Sequence, residues 1–262
     1  MRHHSIWMIL GCLAPALLLA DSAPRYTASF QSSYDGTHTD LFAQEQDRVR
    51  ILINQAQMEI SSQLGLLQYQ EGFQCPLTVR FDDRAAPGVE FALAYVKLVP
   101  TVHGIGQELV VNLDVMSQYQ SKDFDQIFYH EMTHAVLNDA AVAPYNRALP
   151  SWVQEGLAVY ISGEGDDRVR NLAQRVRKSQ AASLVRDLEE PVLDYARNYL
   201  AFKYLYEKQG VNSLQAFVRD LTQGKLPHDA IEDSTGLTWD DFCKNVKEYS
   251  ADIYRENARP DF

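Results

Sequence analysis

Phe124-Asp125-Gln126-Ile127-Phe128-Tyr129-His130-Glu131-Met132-Thr133-His134-Ala135-Val136 is the stretch on which the reading of this chain turns. Phe124, Ile127, Phe128, Ala135 and Val136 recur at helical spacing, and Asp123 with Gln126 resembles a capping pair, so a helix is expected to about Asn138. On a helix, residues four apart lie one above the other on the same face. His130 and His134 therefore present two imidazoles that can share one tetrahedral metal ion. Glu131 sits beside the first of them and can reach a water on that metal without being a ligand. This is the mechanical content of a His-Glu-x-x-His motif, and it points to zinc, one ion per chain. Such an ion lowers the pKa of its water, and the carboxylate takes the proton as the water attacks a carbonyl.

A hydrolytic zinc ion has three protein ligands and one open position. Pro150-Ser151-Trp152-Val153-Gln154-Glu155-Gly156-Leu157-Ala158 supplies a candidate for the third in Glu155. Ser151 with Gln154 reads as a capping box, so a second helix is expected to start at Ser151 and carry Glu155 in its early part. Gly156 has no side chain and allows a close approach there. His103, His38 and His228 are rivals for the third position, but each falls in an expected loop with no partner at ligand spacing.

Upstream, Leu41, Phe42, Val49, Leu52, Ile53, Met58, Ile60, Leu64 and Leu67 recur at helical spacing between Asp40 and about Gln70, which predicts one long helix or two shorter ones. Leu77 to Phe81, Phe91 to Val99 and Glu108 to Leu113 have strand character, and His103-Gly104-Ile105-Gly106 reads as the connection between the last two. Downstream, helices are expected over Val169 to Val185, Val192 to Lys208, Ser213 to Leu221 and Trp239 to Tyr254, after a polar break from Gly163 to Asp167. Helix, small sheet, then helices is an α+β arrangement, with a small, mostly antiparallel sheet packed on the motif helix and a largely helical C-terminal half.

The chain has 262 residues, with 46% apolar and 23% charged, ordinary for a globular domain. Its formal net charge of -11 and the lack of any Lys/Arg-rich run leave no electrostatic footprint for nucleic acid. Met1-Arg2-His3-His4 and the apolar run Ile6 to Ala20 fit a signal peptide of residues 1–20, too short for a comfortable membrane span. Residues 21–39 read as a loose segment and 40–262 as the folded domain. The chain is thus expected to be exported, periplasmic or secreted, with no stable membrane span once the signal is removed. Cys75 and Cys243 would then be free either to form a disulfide or to remain buried thiols. There is no Gly-x-Ser-x-Gly, and neither of these cysteines has a recognisable catalytic context.

Taken together, His130-Glu131-x-x-His134 and Trp152-Val153-x-Glu155-Gly156-Leu157-Ala158 resemble the gluzincin metallopeptidases, in particular the peptidase MA-like group of exported proteins. The resemblance is strongest over about Glu108 to Gly210. It implies a zincin-like fold, zinc held by His130, His134 and Glu155, Glu131 as catalytic base, and a peptide or protein substrate. It also implies an edge strand ahead of the motif helix, expected here at Glu108 to Leu113, on which an extended peptide could pair. Relatives often carry a tyrosine at the start of a later helix. The matching segment is Tyr195-Ala196-Arg197-Asn198, with Asn198 where a serine is usual, making Tyr195 the first candidate for an oxyanion donor and Tyr199 the second. The chain departs from thermolysin-like enzymes at Val159, where they have an acidic residue, so support for the ligands must come from elsewhere, with Asp139 and Asp194 as candidates. A binding protein that keeps the fold, and a zinc hydrolase of a non-peptide amide, are the competing readings.

Overall fold

The computed structural model describes residues 31–32, 39–66, 73, 75–82, 92–101, 104–112, 115, 121–142, 149–190 and 194–261. The expected signal peptide, His38, His103 and the side chain of Asp123 lie outside the described residues. The elements in chain order begin with β1 (Gln31–Ser32), α1 (Thr39–Gln63), β2 (Leu77–Asp82), β3 (Ala94–Thr101) and β4 (Gly104–Asn112). After them come the motif helix α2 (Ser121–Leu137), α3 (Ser151–Ser162), α4 (Gly165–Ala173), α5 (Tyr195–Tyr204), α6 (Val211–Thr222), α7 (Pro227–Thr235) and α8 (Trp239–Asn257). Single π turns extend α2 over Asn138–Val142 and α5 over Leu205–Gln209.

The fold is α+β, as expected, but the sheet is mixed rather than mostly antiparallel. Its order is β1-β2-β4-β3, with β1–β2 and β2–β4 parallel and β3–β4 antiparallel. The physical reason is the hairpin: β3 runs directly into β4, and β4 folds back to lie between β3 and β2. Gly104, Ile105 and Gly106 are therefore strand residues and not a connection. At Gly106 a Cβ would come within 2.7 Å of the Thr101 methyl, so the glycine lets that side chain lie across the hairpin.

Strand alternation separates the two faces of the sheet. Leu77, Val79, Phe81, Leu109 and Val111 are fully buried and share one core with Val49, Ile53 and Ile60 of α1 and Phe124, Phe128 and Met132 of α2. On the opposite face Glu108 pairs with Lys97 at 2.6 Å and Arg80 at 3.5 Å. Met132 and Thr133, the two variable positions of the motif, thus point into the protein, which leaves His130, Glu131 and His134 for the other side of the helix.

The helical half is held by aromatic packing. Trp152 stacks on Phe202 and Phe217 and lies against Trp239, joining α3, α5, α6 and α8. Gly156 permits the α3–α5 contact: a Cβ there would sit 2.5 Å from the Phe202 ring and 2.6 Å from the Asn198 carbonyl oxygen. Helix α3 begins at Ser151 as expected, but not through the expected capping box. Pro150 is the N-cap residue without a side-chain cap, and Gln154 turns back to donate to the Leu149 carbonyl at 2.7 Å. The polar break after α3 is only Gly163 and Glu164, with Gly163 in the left-handed conformation at φ 75°. Cys75 and Cys243 are free thiols, and Cys75 donates to the Ile105 carbonyl.

Candidate metal centre

Helix α2 packs across α3, and this contact assembles the site. One ligand-type atom from each of His130, His134 and Glu155 lies within 4.8 Å of the others. Glu155 Oε2 is 3.4 Å from His130 Nε2 and 3.6 Å from His134 Nε2. That oxygen is buried and has no hydrogen-bond partner. An orphaned carboxylate oxygen facing two imidazole nitrogens is costly unless a cation completes it. Two nitrogens and one carboxylate oxygen are a donor set that suits zinc, so these residues fit a divalent metal ion. His228, a rival on sequence grounds, is elsewhere: it stacks on Trp239 and meets Glu189 at 2.9 Å.

The electrostatics follow from this crowding. Burial disfavours a charged His130, but the carboxylates of Glu155 and Glu164 outweigh it and lift the metal-free imidazole to about 9. Burial likewise opposes ionisation of Glu155, and the two histidines overcome it, holding the carboxyl down at about 2. A metal-free site therefore carries a proton where a cation would sit.

Glu164 is the residue that sequence reasoning missed. Its Oε1 lies 2.7 Å from His130 Nδ1, and its Oε2 accepts from Arg168 at 2.7 Å. A carboxylate on Nδ1 fixes the ring orientation and leaves Nε2 to face Glu155. The support for His130 thus comes from Glu164 and not from Asp139 or Asp194. Asp194 instead caps α5 by accepting from the Arg197 amide at 3.0 Å, and Asp139 accepts from the Cys75 amide. No spacing signal marks it, because the left-handed turn at Gly163 decides where Glu164 points.

Glu131 accepts a 2.9 Å hydrogen bond from the Val96 amide, and burial pushes its carboxyl above the ordinary value. Val96 belongs to β3, which corrects the expected edge. Strand β4 is interior, flanked by β2 and β3, and β3 is the edge beside the site. The hairpin makes this so, since β3 is the outer arm. Asn112 donates to the Leu93 carbonyl, so alternate β3 residues bond β4 while Ala94, Val96 and Leu98 turn their main-chain groups outward. Pro100 has no N–H and ends that row of donors.

The two tyrosines separate. The Tyr195 ring centroid lies 6.2 Å from that of His130, under the Arg168 guanidinium at 4.5 Å. Tyr199 is buried one turn further on, with its hydroxyl donated to Asp166 at 2.8 Å. Tyr195 is therefore the tyrosine beside the metal-ligand cluster.

Comparison with known proteins gives one family. Residues 109–250, more than half of the chain, match the profile of the Peptidase MA superfamily. No curated protein and no solved structure matches the chain. The matched span runs from β4 through α8 and contains both the His-Glu-x-x-His helix and the Glu155 helix. With three side chains that could hold a metal ion converging inside that span, the chain belongs to the Peptidase MA superfamily.

Proposed function

We propose that this protein is an exported zinc-dependent peptidase, with zinc held by His130, His134 and Glu155. The observation that carries the reading is the convergence of those three side chains, one of them bearing an orphaned buried oxygen, beside a fourth, Glu131, that is not needed as a ligand. Zinc bound there would supply Lewis acidity, polarising a scissile carbonyl and bringing the pKa of a water toward neutrality.

The chain's own residues supply the rest. Glu131 takes the proton of the attacking water and returns it to the leaving amine. Its burial raises its proton affinity toward the working pH, and the Val96 amide holds its orientation. The phenol of Tyr195, beside His130, donates to the developing oxyanion. Glu164 keeps the His130 ring aligned. The outward main-chain groups of Ala94 and Leu98, with the Val96 carbonyl, offer an extended peptide a strand to pair with, while the Val96 N–H stays on Glu131. That free edge favours a peptide over a compact non-peptide amide, and an ionisable Glu131 at the site has no purpose in a pure binding protein. Export rests on the signal-like N-terminus. Among the described residues no helix is long and apolar enough to cross a membrane.

The test is metal analysis of the purified protein together with a screen against quenched fluorescent peptides. The expected result is about one zinc per chain, and cleavage that a chelator abolishes and zinc restores. Cleavage by metal-free protein would overturn the proposal.

A further inference from the structure

Glu164 stands in the short turn between α3 and α4, just after Gly163, where the backbone alone does little to fix a side chain. Its two carboxylate oxygens are divided between His130 and Arg168. Arg168 lies one turn into α4, so its guanidinium reaches back over the start of its own helix. The same guanidinium lies over the Tyr195 ring, its Cζ 4.5 Å from the ring centroid. Arg168 Nε is buried without a hydrogen-bond partner, so among the described residues the pose of the group is set by these two contacts. Tyr195 is the first residue of α5, and among the described residues its hydroxyl has no hydrogen-bond partner. Its ring is bounded instead by Arg168 and His130.

We infer that Arg168 is a positioning residue that ties the two halves of the site together, gripping Glu164 so that His130 stays aligned and covering Tyr195 so that its phenol stays beside that histidine. The inference rests on the zinc-peptidase reading and deepens it. A planar guanidinium suits both contacts: it meets a carboxylate with directed N–H groups and stacks on an aromatic face. Arg168 touches neither the metal nor the substrate in this role. It acts through Glu164 and Tyr195.

The two arms have separate readouts. Zinc affinity, measured by chelator competition and needing no turnover, reports the Glu164 arm. Arg168→Met keeps much of the side-chain length but removes both charge and fork. It should weaken zinc binding about 10-fold, the lower end for loss of support behind a ligand. Glu164→Gln can offer His130 or Arg168 an acceptor but not both, so Arg168→Met should add less than twofold in that background. Turnover of a peptide found in the screen reports the Tyr195 arm. Arg168→Met in zinc-saturated protein should lower kcat about 10-fold with KM little changed, and should have almost no effect on kcat in a Tyr195→Phe background. Arg168→Lys should recover zinc affinity and only part of kcat, because it restores the charge without the planar face. Unfolding of each variant is followed in parallel, since a merely structural role would lower Tm without this pattern. Arg168→Met with unchanged zinc affinity and kcat, or with full additivity in both backgrounds, would overturn the inference. Wild-type protein that takes up no zinc would instead overturn the proposed function.

Discussion

Gly156→Ala tests how closely the helices that build the site approach one another. The added Cβ would meet the Asn198 carbonyl oxygen at 2.6 Å, against a lower limit of 3.0 Å for real Cβ contacts. The Phe202 ring at 2.5 Å could rotate, but a helical carbonyl cannot, so α3 and α5 must separate by roughly half an ångström or more. Overpacking of this kind costs about 1–3 kcal/mol. Alanine regains about 1 kcal/mol of helix propensity over glycine. With the rigid carbonyl placing the strain at the upper end, the net loss is about 2 kcal/mol, or about 4–8 °C in Tm for a domain of this size. The functional effect should be larger. Asn198 lies one turn from Tyr195 on α5, so the displacement carries to the phenol, and misplacement by about 1 Å can cost on the order of 100-fold in rate. His130 and His134 on α2 are untouched. The assay is thermal unfolding, zinc content and peptide turnover on the same preparation: Tm lowered by a few degrees, zinc retained, kcat reduced at least about 10-fold. Wild-type Tm and kcat together would refute the packing argument.

The tyrosines should divide by role: Tyr195→Phe lowers kcat about 100-fold as loss of an oxyanion donor, whereas Tyr199→Phe, losing its bond to Asp166, lowers stability by about 1 kcal/mol with kcat nearly intact. The reverse pattern in kinetics and unfolding would reassign the donor. Glu155→Ala should weaken zinc binding by at least about 100-fold, since it removes one of three ligands; unaltered affinity in chelator competition would mean another third ligand. Zinc uptake should depend on pH. Metal-free His130 titrates at about 9, above its ordinary 6.5, so binding near neutrality displaces a proton and apparent affinity rises about tenfold per pH unit from 7 to 9, then flattens. The sign for the metal-free fold is opposite: the ion pairs at His130 contribute stability fully below about 6.5 and lose it as pH rises through about 9. Calorimetric proton release and unfolding against pH check both, and pH-independent affinity would contradict the assignment.

What could be read in the sequence was local. The face of α2 with its two histidines follows from a four-residue spacing, and Glu155 from a second apolar helix with a glycine at its contact. Nonlocal order was not readable. That β4 lies inside the sheet and β3 at its edge depends on which way a hairpin folds back, and the strand pattern from Phe91 to Leu113 is equally compatible with either order. Glu164 obeys no spacing rule, because the turn at Gly163 decides where it points. Helix α7 did carry boundary signals that passed unread, with Pro227 at its first turn and Gly236 in the left-handed conformation after its last.

The proposed function requires Glu131 to be the base beside a bound zinc and not one of its ligands. Glu131→Gln measures it most directly, because the amide preserves size while abolishing proton acceptance. Zinc content and peptide cleavage are determined on the same purified variant. About one zinc per chain is expected, as in the wild type, with hydrolysis lowered at least about 100-fold. Unchanged turnover would contradict the role of Glu131 as base, and loss of zinc would show that it serves as a ligand.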